Sequence, residues 1–318
     1  MKTPNQNKGY CRNLFVILAV LLFCKIERSS AQQDAQYTQY MYNTVSVNPG
    51  YTGSRGHISV AALHRSQWVG LDGAPTTQTF NLHSPIGYRG VGLGMSIVND
   101  KIGPTSETYF DIDFSYTIWT STEGRLSFGL KGSAHLLDVK FSELDEYSID
   151  QSLQQDIENR FSPNFGAGVY YHTNKFYAGV SVPRILETTH FKSGPAPAVA
   201  KEQMNFYFIT GYVWDLNSNL KFKPALLTKL VVGAPLQVDV SANFMISEKF
   251  ILGAAYRWDA AFSGMLGFNL SNKFLIGLAY DREITELGST AFNNGSFEVL
   301  LRYDFISTKG NLKSPRFF

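Results

Sequence analysis

Three polar residues that could perform chemistry lie close together, namely Asn81, His83 and Ser84. Their types match the Ser-His-Asn set that a surface phospholipase could use. Nucleophilic catalysis needs the serine hydroxyl within hydrogen-bond reach of the histidine. Ser84 directly follows His83, and neighbouring residues of a β-strand point to opposite faces. We therefore predict that these residues form no catalytic centre and that the chain is not an enzyme.

Glycines and histidines suggest two other kinds of site. Gly90, Gly92 and Gly94 alternate as in part of a nucleotide-binding loop, but the later glycine and the following helix are missing. In a strand they would leave one face bare, which suits close packing of an inner segment. The six histidines lack zinc-protease spacing, and both cysteines, Cys11 and Cys24, lie within the first 31 residues. We expect no cofactor and no metal.

The first 31 residues predict export through the Sec pathway. Three basic residues precede the apolar run 14–23 (LFVILAVLLF), and small residues up to Ala31 suit cleavage there. Cys24 leaves a lipoprotein as the alternative, although the bulky Phe23 before it disfavours lipidation. Cleavage removes five basic residues and one acidic residue, so the net charge of +2 becomes about −2. We expect no nucleic-acid partner.

The elements that would position any site are strands, because apolar and polar residues alternate from residue 58 to 305. Only 17% of the residues are charged and 14% are aromatic. Most alternating segments run nine to thirteen residues, the length that a tilted strand needs to cross a bilayer. About fourteen are found, near 57–66, 76–84, 89–99, 107–119, 125–136, 163–174, 176–184, 203–215, 220–230, 236–246, 249–259, 261–271, 273–283 and 296–305.

The connections between these segments differ in length with their order along the chain, although two odd-numbered ones, near 232–235 and near Ala260, are also short. Those after even-numbered segments are short, and three share an Asn-Lys-Phe or Glu-Lys-Phe cue typical of a tight hairpin. All the long ones follow odd-numbered segments: 67–75, 100–106, 137–162, 185–202 and 284–295. Outer-membrane barrels have short periplasmic turns and longer outer loops. We predict an all-β, transmembrane antiparallel β-barrel of about 14 strands with periplasmic N- and C-termini.

The same pattern predicts which side chains face lipid. A charged residue at mid-membrane on the lipid side costs about 2–4 kcal/mol, so the charged residues of the strands should face the lumen. These are Lys131, Arg257, Arg302, Asp111, Asp113, Asp239 and Glu298. Aromatic residues at strand ends should form the interfacial girdles: Trp119, Trp214, Trp258, Tyr303 and Phe305. A soluble β-sandwich, the alternative, would have shorter strands.

An ordered set of motifs follows the predicted signal peptide. It reads Gln36-Tyr37-Thr38-Gln39-Tyr40, Asn48-Pro49-Gly50-Tyr51-Thr52-Gly53, Arg65-Ser66-Gln67-Trp68-Val69-Gly70-Leu71-Asp72-Gly73-Ala74-Pro75, His83-Ser84-Pro85 and Val98-Asn99-Asp100-Lys101-Ile102-Gly103-Pro104. This set resembles the PorP/SprF family, outer-membrane proteins of type IX secretion and gliding motility. Further matches at 163–166, 179–183 and 314–318 extend the resemblance over essentially the whole mature chain. One mild departure is Gly50, where an alanine is expected.

The resemblance implies a non-enzymatic role in secretion or surface attachment of an adhesin that carries a type IX C-terminal domain. The implied partners are translocon components, periplasmic lipoprotein or peptidoglycan-linked subunits of the machinery, and the lipid bilayer. Candidate family-motif and partner-contact residues are Gln39, Tyr40, Asn48, Pro49, Gly53, Trp68, Gly73, Pro75, His83, Asn99, Asp100, Gly103 and Pro104. A passive porin for small solutes remains the alternative function.

The expected organisation has four parts. They are a signal peptide (1–31), a periplasmic segment or lumen plug (32–56), the barrel (57–305) and a periplasmic tail (306–318). The alternative for the second part is a simple leader packed on the first strand. The outer docking face would comprise residues 68–75 and the connections 137–162 and 185–202. Seven acidic and two basic residues in 137–162 match no calcium-loop spacing, so this connection is read as a solvated loop compatible with protein docking.

Overall fold

A computed structural model gives the structure of the chain and describes residues 35–87, 90–143, 156–187, 203–286, 288, 290 and 292–306. The predicted signal peptide, the centre of the acidic connection, most of the connection 185–202 and the tail after Ile306 lie outside these residues. Within the part of the chain so described, no helix is both long enough and apolar enough to cross a membrane.

Antiparallel strands hold most of the residues that the structure describes. They are β1 (Ile58–Ser66), β2 (Thr76–Ile86), β3 (Val91–Ile102), β4 (Thr105–Trp119), β5 (Arg125–Val139), β6 (Ile157–His172), β7 (Phe176–Val182), β8 (Asn205–Tyr212), β9 (Trp214–Asn217), β10 (Leu220–Val231), β11 (Gln237–Ile246), β12 (Phe250–Arg257), β13 (Ala261–Ser271), β14 (Phe274–Glu283) and β15 (Ser296–Phe305). β8 and β9 follow one another along β10 with a break at Val213, so they form a single strand of the barrel.

The sheet closes on itself. β1 pairs with β15, with Ile58 opposite Phe305, and every other barrel strand pairs with its neighbour in sequence, β10 with β11 included. Closure leaves no unpaired strand edge, which is the condition for a sheet to span hydrocarbon. The fold is a closed, antiparallel 14-stranded β-barrel, as the alternation predicted.

The two ends of the barrel differ. The turn end, where β1 begins and β15 ends, has short connections such as residues 173–175, 218–219 and 272–273. Ser247 and Glu248 both have positive φ there, the geometry of a tight hairpin. The opposite end, the loop end, has the longer connections, including residues 67–75 and 140–156.

Burial alternates along the strands as the sequence predicted. The seven charged residues assigned to the lumen are all buried, and the five aromatic residues assigned to the girdles are all exposed. β15 is the clearest case, since burial switches at every residue from Ser296 to Phe305. This alternation gives the barrel an apolar outer surface and places the charged residues of the strands in the lumen.

Two predicted boundaries were wrong. Residues 100–106, expected to be a long connection, lie mostly in strands, and only Gly103 and Pro104 join β3 to β4. β6 begins at Ile157 rather than at residue 163. Both errors fall at the loop end, where the strands continue with polar residues on both faces, so the apolar-polar alternation no longer marks them.

Candidate functional site

Residues 35–56, called here the lumen segment, cross the interior of the barrel before β1 begins. Three single turns of helix organise their centre: Tyr40–Tyr42, Thr44–Val47 and Pro49–Tyr51. Asn48 precedes the third turn, and its side-chain oxygen accepts a hydrogen bond from the Gly50 N–H at 2.8 Å. Asparagine before a first-position proline is a favoured way to start a helical turn.

At the loop end, two buried carboxylates hold the segment. Glu298, only 1% exposed, accepts hydrogen bonds from the main-chain N–H groups of Thr38 (2.9 Å) and Gln39 (2.8 Å). Asp281 accepts the Thr38 hydroxyl at 2.6 Å. Arg65 lies between the two carboxylates, 2.6 Å from Asp281 and 3.2 Å from Glu298. The cation offsets the cost of burying two negative charges.

In the middle of the barrel, Asn48 joins the segment to two strands. Its side-chain amide donates to the main-chain carbonyls of Val169 (3.1 Å) and Val180 (3.4 Å), and the residue is 0% exposed. The barrel wall is bare beneath this turn, because Gly129, Gly168 and Gly179 each lack the Cβ that would overlap Asn48, Pro49 or Gly50. The glycines therefore let the segment lie directly against the wall.

The predicted bare face of β3 has the same role. A Cβ at Gly92 would overlap the Thr52 carbonyl, and one at Gly94 would crowd the Thr52 side chain. The third glycine of the run, Gly90, instead lies against Thr117 and Trp119. The Thr52 carbonyl also accepts the Ser115 hydroxyl at 2.7 Å. Gly92 and Gly94 thus serve packing of an inner segment, and Gly90 does not.

At the turn end, Arg55 fixes the last part of the segment to β15. Its guanidinium donates twice to Asp304, from Nε at 3.1 Å and from Nη2 at 2.8 Å. Ser59 donates to the same carboxylate at 2.7 Å. Paired bonds from one guanidinium to one carboxylate are among the stronger polar contacts in proteins.

Three tyrosines of the segment, Tyr37, Tyr40 and Tyr42, are buried in the lumen. Their rings belong to an apolar cluster in the lumen that includes Tyr170 and Met245. The lumen segment is therefore packed as a small core inside the barrel as well as hydrogen-bonded to it.

The predicted site residues fall into two separate groups. The first group belongs to the lumen segment and consists of Gln39, Tyr40, Asn48, Pro49 and Gly53. His83 on β2 contacts this group, because its Nδ1 accepts a hydrogen bond from the Gly53 N–H at 3.1 Å. The others lie at the loop end: Trp68, Gly73, Pro75, Asn99, Asp100, Gly103 and Pro104. The structure thus does not bring all of the candidates into one site.

The loop-end group ties three connections together. Gly73 accepts a hydrogen bond from the Gly103 N–H at 2.9 Å, and Pro104 accepts one from the Lys140 N–H at 3.0 Å. Pro75 is buried and accepts the Gln67 N–H at 2.9 Å. Asp100 accepts the Thr77 hydroxyl at 2.6 Å, and Asn99 donates to Thr108 at 2.8 Å. These residues shape the rim of the barrel.

Trp68 links this rim to the last hairpin of the barrel. It has positive φ, its main-chain N–H donates to the Ser296 hydroxyl at 3.2 Å, and its indole N–H donates to Glu283. Next to it, Val69 exchanges main-chain hydrogen bonds with the connection between β14 and β15 at residues 294 and 295. The connection 67–75 is therefore an ordered part of the rim.

Sequence reasoning missed the residues that seat the segment. These are the glycines Gly129, Gly168, Gly179 and Gly277 and the pair Arg55–Asp304. A signal for the glycines was present, because each replaces a side chain at a lumen-facing position of an alternating strand. The ion pair had no local signal, since its partners are 249 residues apart.

The suspected chemical set is not assembled. Ser84 lies on the other face of β2 from His83 and donates to the Pro85 carbonyl at 2.9 Å. Among the residues that the structure describes, no group of three His, Cys, Asp or Glu side chains could hold a metal ion.

Comparison with known proteins places the chain. The structure of CymD, a monoaromatic hydrocarbon channel, aligns with a TM-score of 0.50 at 9% identity over 88% of this chain and 95% of CymD. The toluene transporter TbuX of Ralstonia pickettii gives 0.47 at 9% identity, over 81% and 91% of the two chains. Omp33 of Acinetobacter baumannii gives 0.46 at 9% identity, over 78% and 98%. The likeness to CymD bears on the fold alone.

No curated protein sequence matches the chain. The family of type IX secretion system membrane proteins named PorP/SprF matches residues 29–303. That match covers the lumen segment, the rim and all of the barrel up to the last two residues of β15. The chain belongs to the PorP/SprF family of type IX secretion system membrane proteins.

Proposed function

We propose that this outer-membrane barrel supports the secretion or the cell-surface attachment of a partner adhesin, and that it does so as a filled barrel. The observation that carries the proposal is the lumen segment, whose residues from Tyr37 to Val45 are all buried within the barrel. A protein that anchors a partner needs a rigid barrel with an accessible rim, but it needs no path through its centre.

The filled lumen argues against the alternative of a passive porin. The segment is held along its whole length, by Glu298 near the loop end, by Asn48 in the middle and by Asp304 at the turn end. Opening a water path would require these contacts to break together. Porins in contrast keep a water-filled channel through the barrel.

The rim supports a docking role. Its connection 67–75 is fixed by hydrogen bonds on both sides, yet Val69, Gly70 and Asp72 remain exposed. Phe292, from the neighbouring connection, is 71% exposed. Large apolar side chains on a fixed, exposed rim suit contact with another protein. The partner we propose is an adhesin with a type IX C-terminal domain.

The rest of the assignment follows the same proposal. The mature chain would begin after a signal peptide cleaved near Ala31 and reach the outer membrane through the Sec pathway. The turn end would face the periplasm, where translocon components and lipoprotein or peptidoglycan-linked subunits could contact it. The lumen segment would act as a plug, and residues after Ile306 would form a periplasmic tail.

The test is deletion of the gene in the source bacterium, followed by quantification of each type IX-dependent adhesin on intact cells. We expect one adhesin to be lost from the cell surface and restored by the wild-type gene. Uptake of small solutes should not change. A complementing variant with Val69→Asp and Phe292→Asp should insert normally but fail to restore the adhesin.

The purified barrel in planar bilayers gives an independent measurement. A filled lumen predicts no steady ion conductance from the wild-type protein. Normal surface adhesins after deletion, together with a steady conductance of the wild-type barrel, would contradict the proposal and favour the porin.

A further inference from the structure

A small cavity lies at the turn end of the lumen, between the lumen segment and the last strands of the barrel. Its volume is about 60 Å³, and its inner wall is formed by Arg55, His57, Arg302 and Asp304. The turn between β13 and β14, with Asn272, forms its mouth. One water needs roughly 10–15 Å³ of such space, so the cavity has room for a group of a few heavy atoms.

Arg302 lines this cavity with donors that nothing satisfies. The residue is only 5% exposed, and neither its Nε nor its Nη1 has a hydrogen-bond partner among the described residues. The nearest carboxylate oxygen, on Asp304, is 3.5 Å from Nε, longer than a hydrogen bond. Buried N–H groups without acceptors are costly. The cavity therefore offers a guanidinium that still needs an acceptor.

Asp304 cannot supply that acceptor, because other donors already use it. Arg55 donates to both of its oxygens, at 3.1 and 2.8 Å, and the Ser59 hydroxyl donates to Oδ1 at 2.7 Å. His57 Nε2 lies 3.3 Å from the same oxygen. The Asp304 carboxylate thus accepts three hydrogen bonds from Arg55 and Ser59, and the His57 ring also lies close to it.

The cavity consequently carries an excess of positive charge. Besides the two arginines, the exposed Lys273 stands at its mouth. The other carboxylate on its wall, Glu248, is paired with Lys221 at 3.0 Å. An uncompensated charge in a buried site favours the uptake of a counter-charge from outside.

We propose that this cavity binds a small oxyanion, a carboxylate or a phosphate group, on the unpartnered Nε–H and Nη1–H groups of Arg302. Each of these donors can give an oxygen of the anion a charge-assisted hydrogen bond. The anion would enter from the turn end, and the site is independent of the adhesin partner proposed above. Its size excludes a nucleotide and admits only the anionic group itself.

The test titrates inorganic phosphate, and separately acetate, into the detergent-solubilised full barrel by calorimetry at constant ionic strength, with chloride as the reference anion. We expect saturable binding to the wild-type protein. Arg302→Met should abolish it, and Arg302→Lys, which keeps the charge but loses the planar fork, should weaken it about tenfold. Stronger binding of phosphate or of acetate identifies which of the two groups the site takes.

Arg282→Met is the matched control, because it removes an exposed arginine from the loop end of β14 and should leave binding unchanged. Thermal unfolding of each variant shows whether a loss of binding comes from a loss of folded protein. Without phosphate, Arg302→Met should melt no lower than the wild type, since it removes an unsatisfied charge. Equal binding by the wild type and Arg302→Met, or no binding of either anion to the wild type, would overturn the proposal.

Discussion

Gly168 on β6 leaves the space that the side-chain oxygen of Asn48 occupies, because a Cβ at this position would overlap that oxygen. This relationship joins a residue of the lumen segment to a residue of the wall 120 positions later in the chain. It explains why β6 carries a glycine at this lumen-facing position, where the backbone conformation does not itself require one. The segment and the wall are shaped to each other.

The first prediction concerns that contact. Gly168→Val should destabilise the protein by about 1–3 kcal/mol, because the added side chain must displace the turn at Asn48. The measurement is the free energy of unfolding in urea with the barrel in lipid vesicles. Gly132→Val, on neighbouring β5, is the control, since no atom lies within 4 Å of a Cβ there. Equal losses in the two variants would contradict this account.

The second prediction concerns Asn48 itself. Asn48→Ala should cost about 1–3 kcal/mol, because the carbonyls of Val169 and Val180 lose their donor and the Gly50 N–H loses its acceptor. Asn48→Asp should cost more near neutral pH, since it buries a carboxylate against two carbonyl oxygens. The measurement is again unfolding in urea, for both variants.

The sign of the pH dependence distinguishes these two variants. Burial raises the pKa of the introduced carboxyl in the folded state, so the folded protein binds the proton more tightly than the unfolded chain does. Stability of Asn48→Asp relative to the wild type should therefore recover as the pH falls through that raised pKa. Asn48→Ala should show no such recovery. A pH-independent loss in Asn48→Asp would mean that the carboxyl reaches water.

The strands could be predicted from the sequence because their signal is local. Throughout β15, and from Tyr109 to Tyr116 in β4, buried and exposed residues alternate strictly between lumen and lipid, and hydrocarbon enforces that rule strongly. The rule weakens where strands leave the membrane, and for that reason the short turn at Gly103 and Pro104 was mistaken for a long connection.

The path of the lumen segment could not be predicted in the same way. Its contacts pair Thr38 with Glu298 and Arg55 with Asp304, about 250 residues apart, and no periodicity encodes such pairs. The wall glycines gave a partial signal, since Gly92 and Gly94 suggested close packing of an inner segment. The direction of the segment had no signal: its first described residue, Ala35, lines a cavity with Asp100 and Glu107 toward the loop end.

The third prediction concerns orientation in the membrane. The chain has no cysteine after Cys24, so single cysteines can be introduced without background. Asp72→Cys, exposed at the loop end, should react with a membrane-impermeant maleimide on intact cells. Asn272→Cys, exposed in a short turn, should react only after the outer membrane is permeabilised. The reverse pattern would place the loop end in the periplasm and would remove the rim from the cell surface.

The last prediction concerns Arg65, the cation between Asp281 and Glu298. Arg65→Met should cost about 3–5 kcal/mol, because it leaves two buried carboxylates without a cation, which is the expensive way to break a buried ion network. Lys140→Met, which breaks an exposed pair with Glu143, is the control and should have no measurable effect. Unfolding in urea measures both variants.

A double variant separates the charge from the packing in the same network. If the loss in Arg65→Met arises from uncompensated charge, adding Asp281→Asn should restore part of the stability, although Asp281→Asn alone is expected to destabilise the wild type. The Thr38 hydroxyl keeps an acceptor in this variant, so the segment stays attached at that point. Additive losses in the double variant would instead show that Arg65 acts through its packing, and the two carboxylates would then be satisfied by the lumen segment alone.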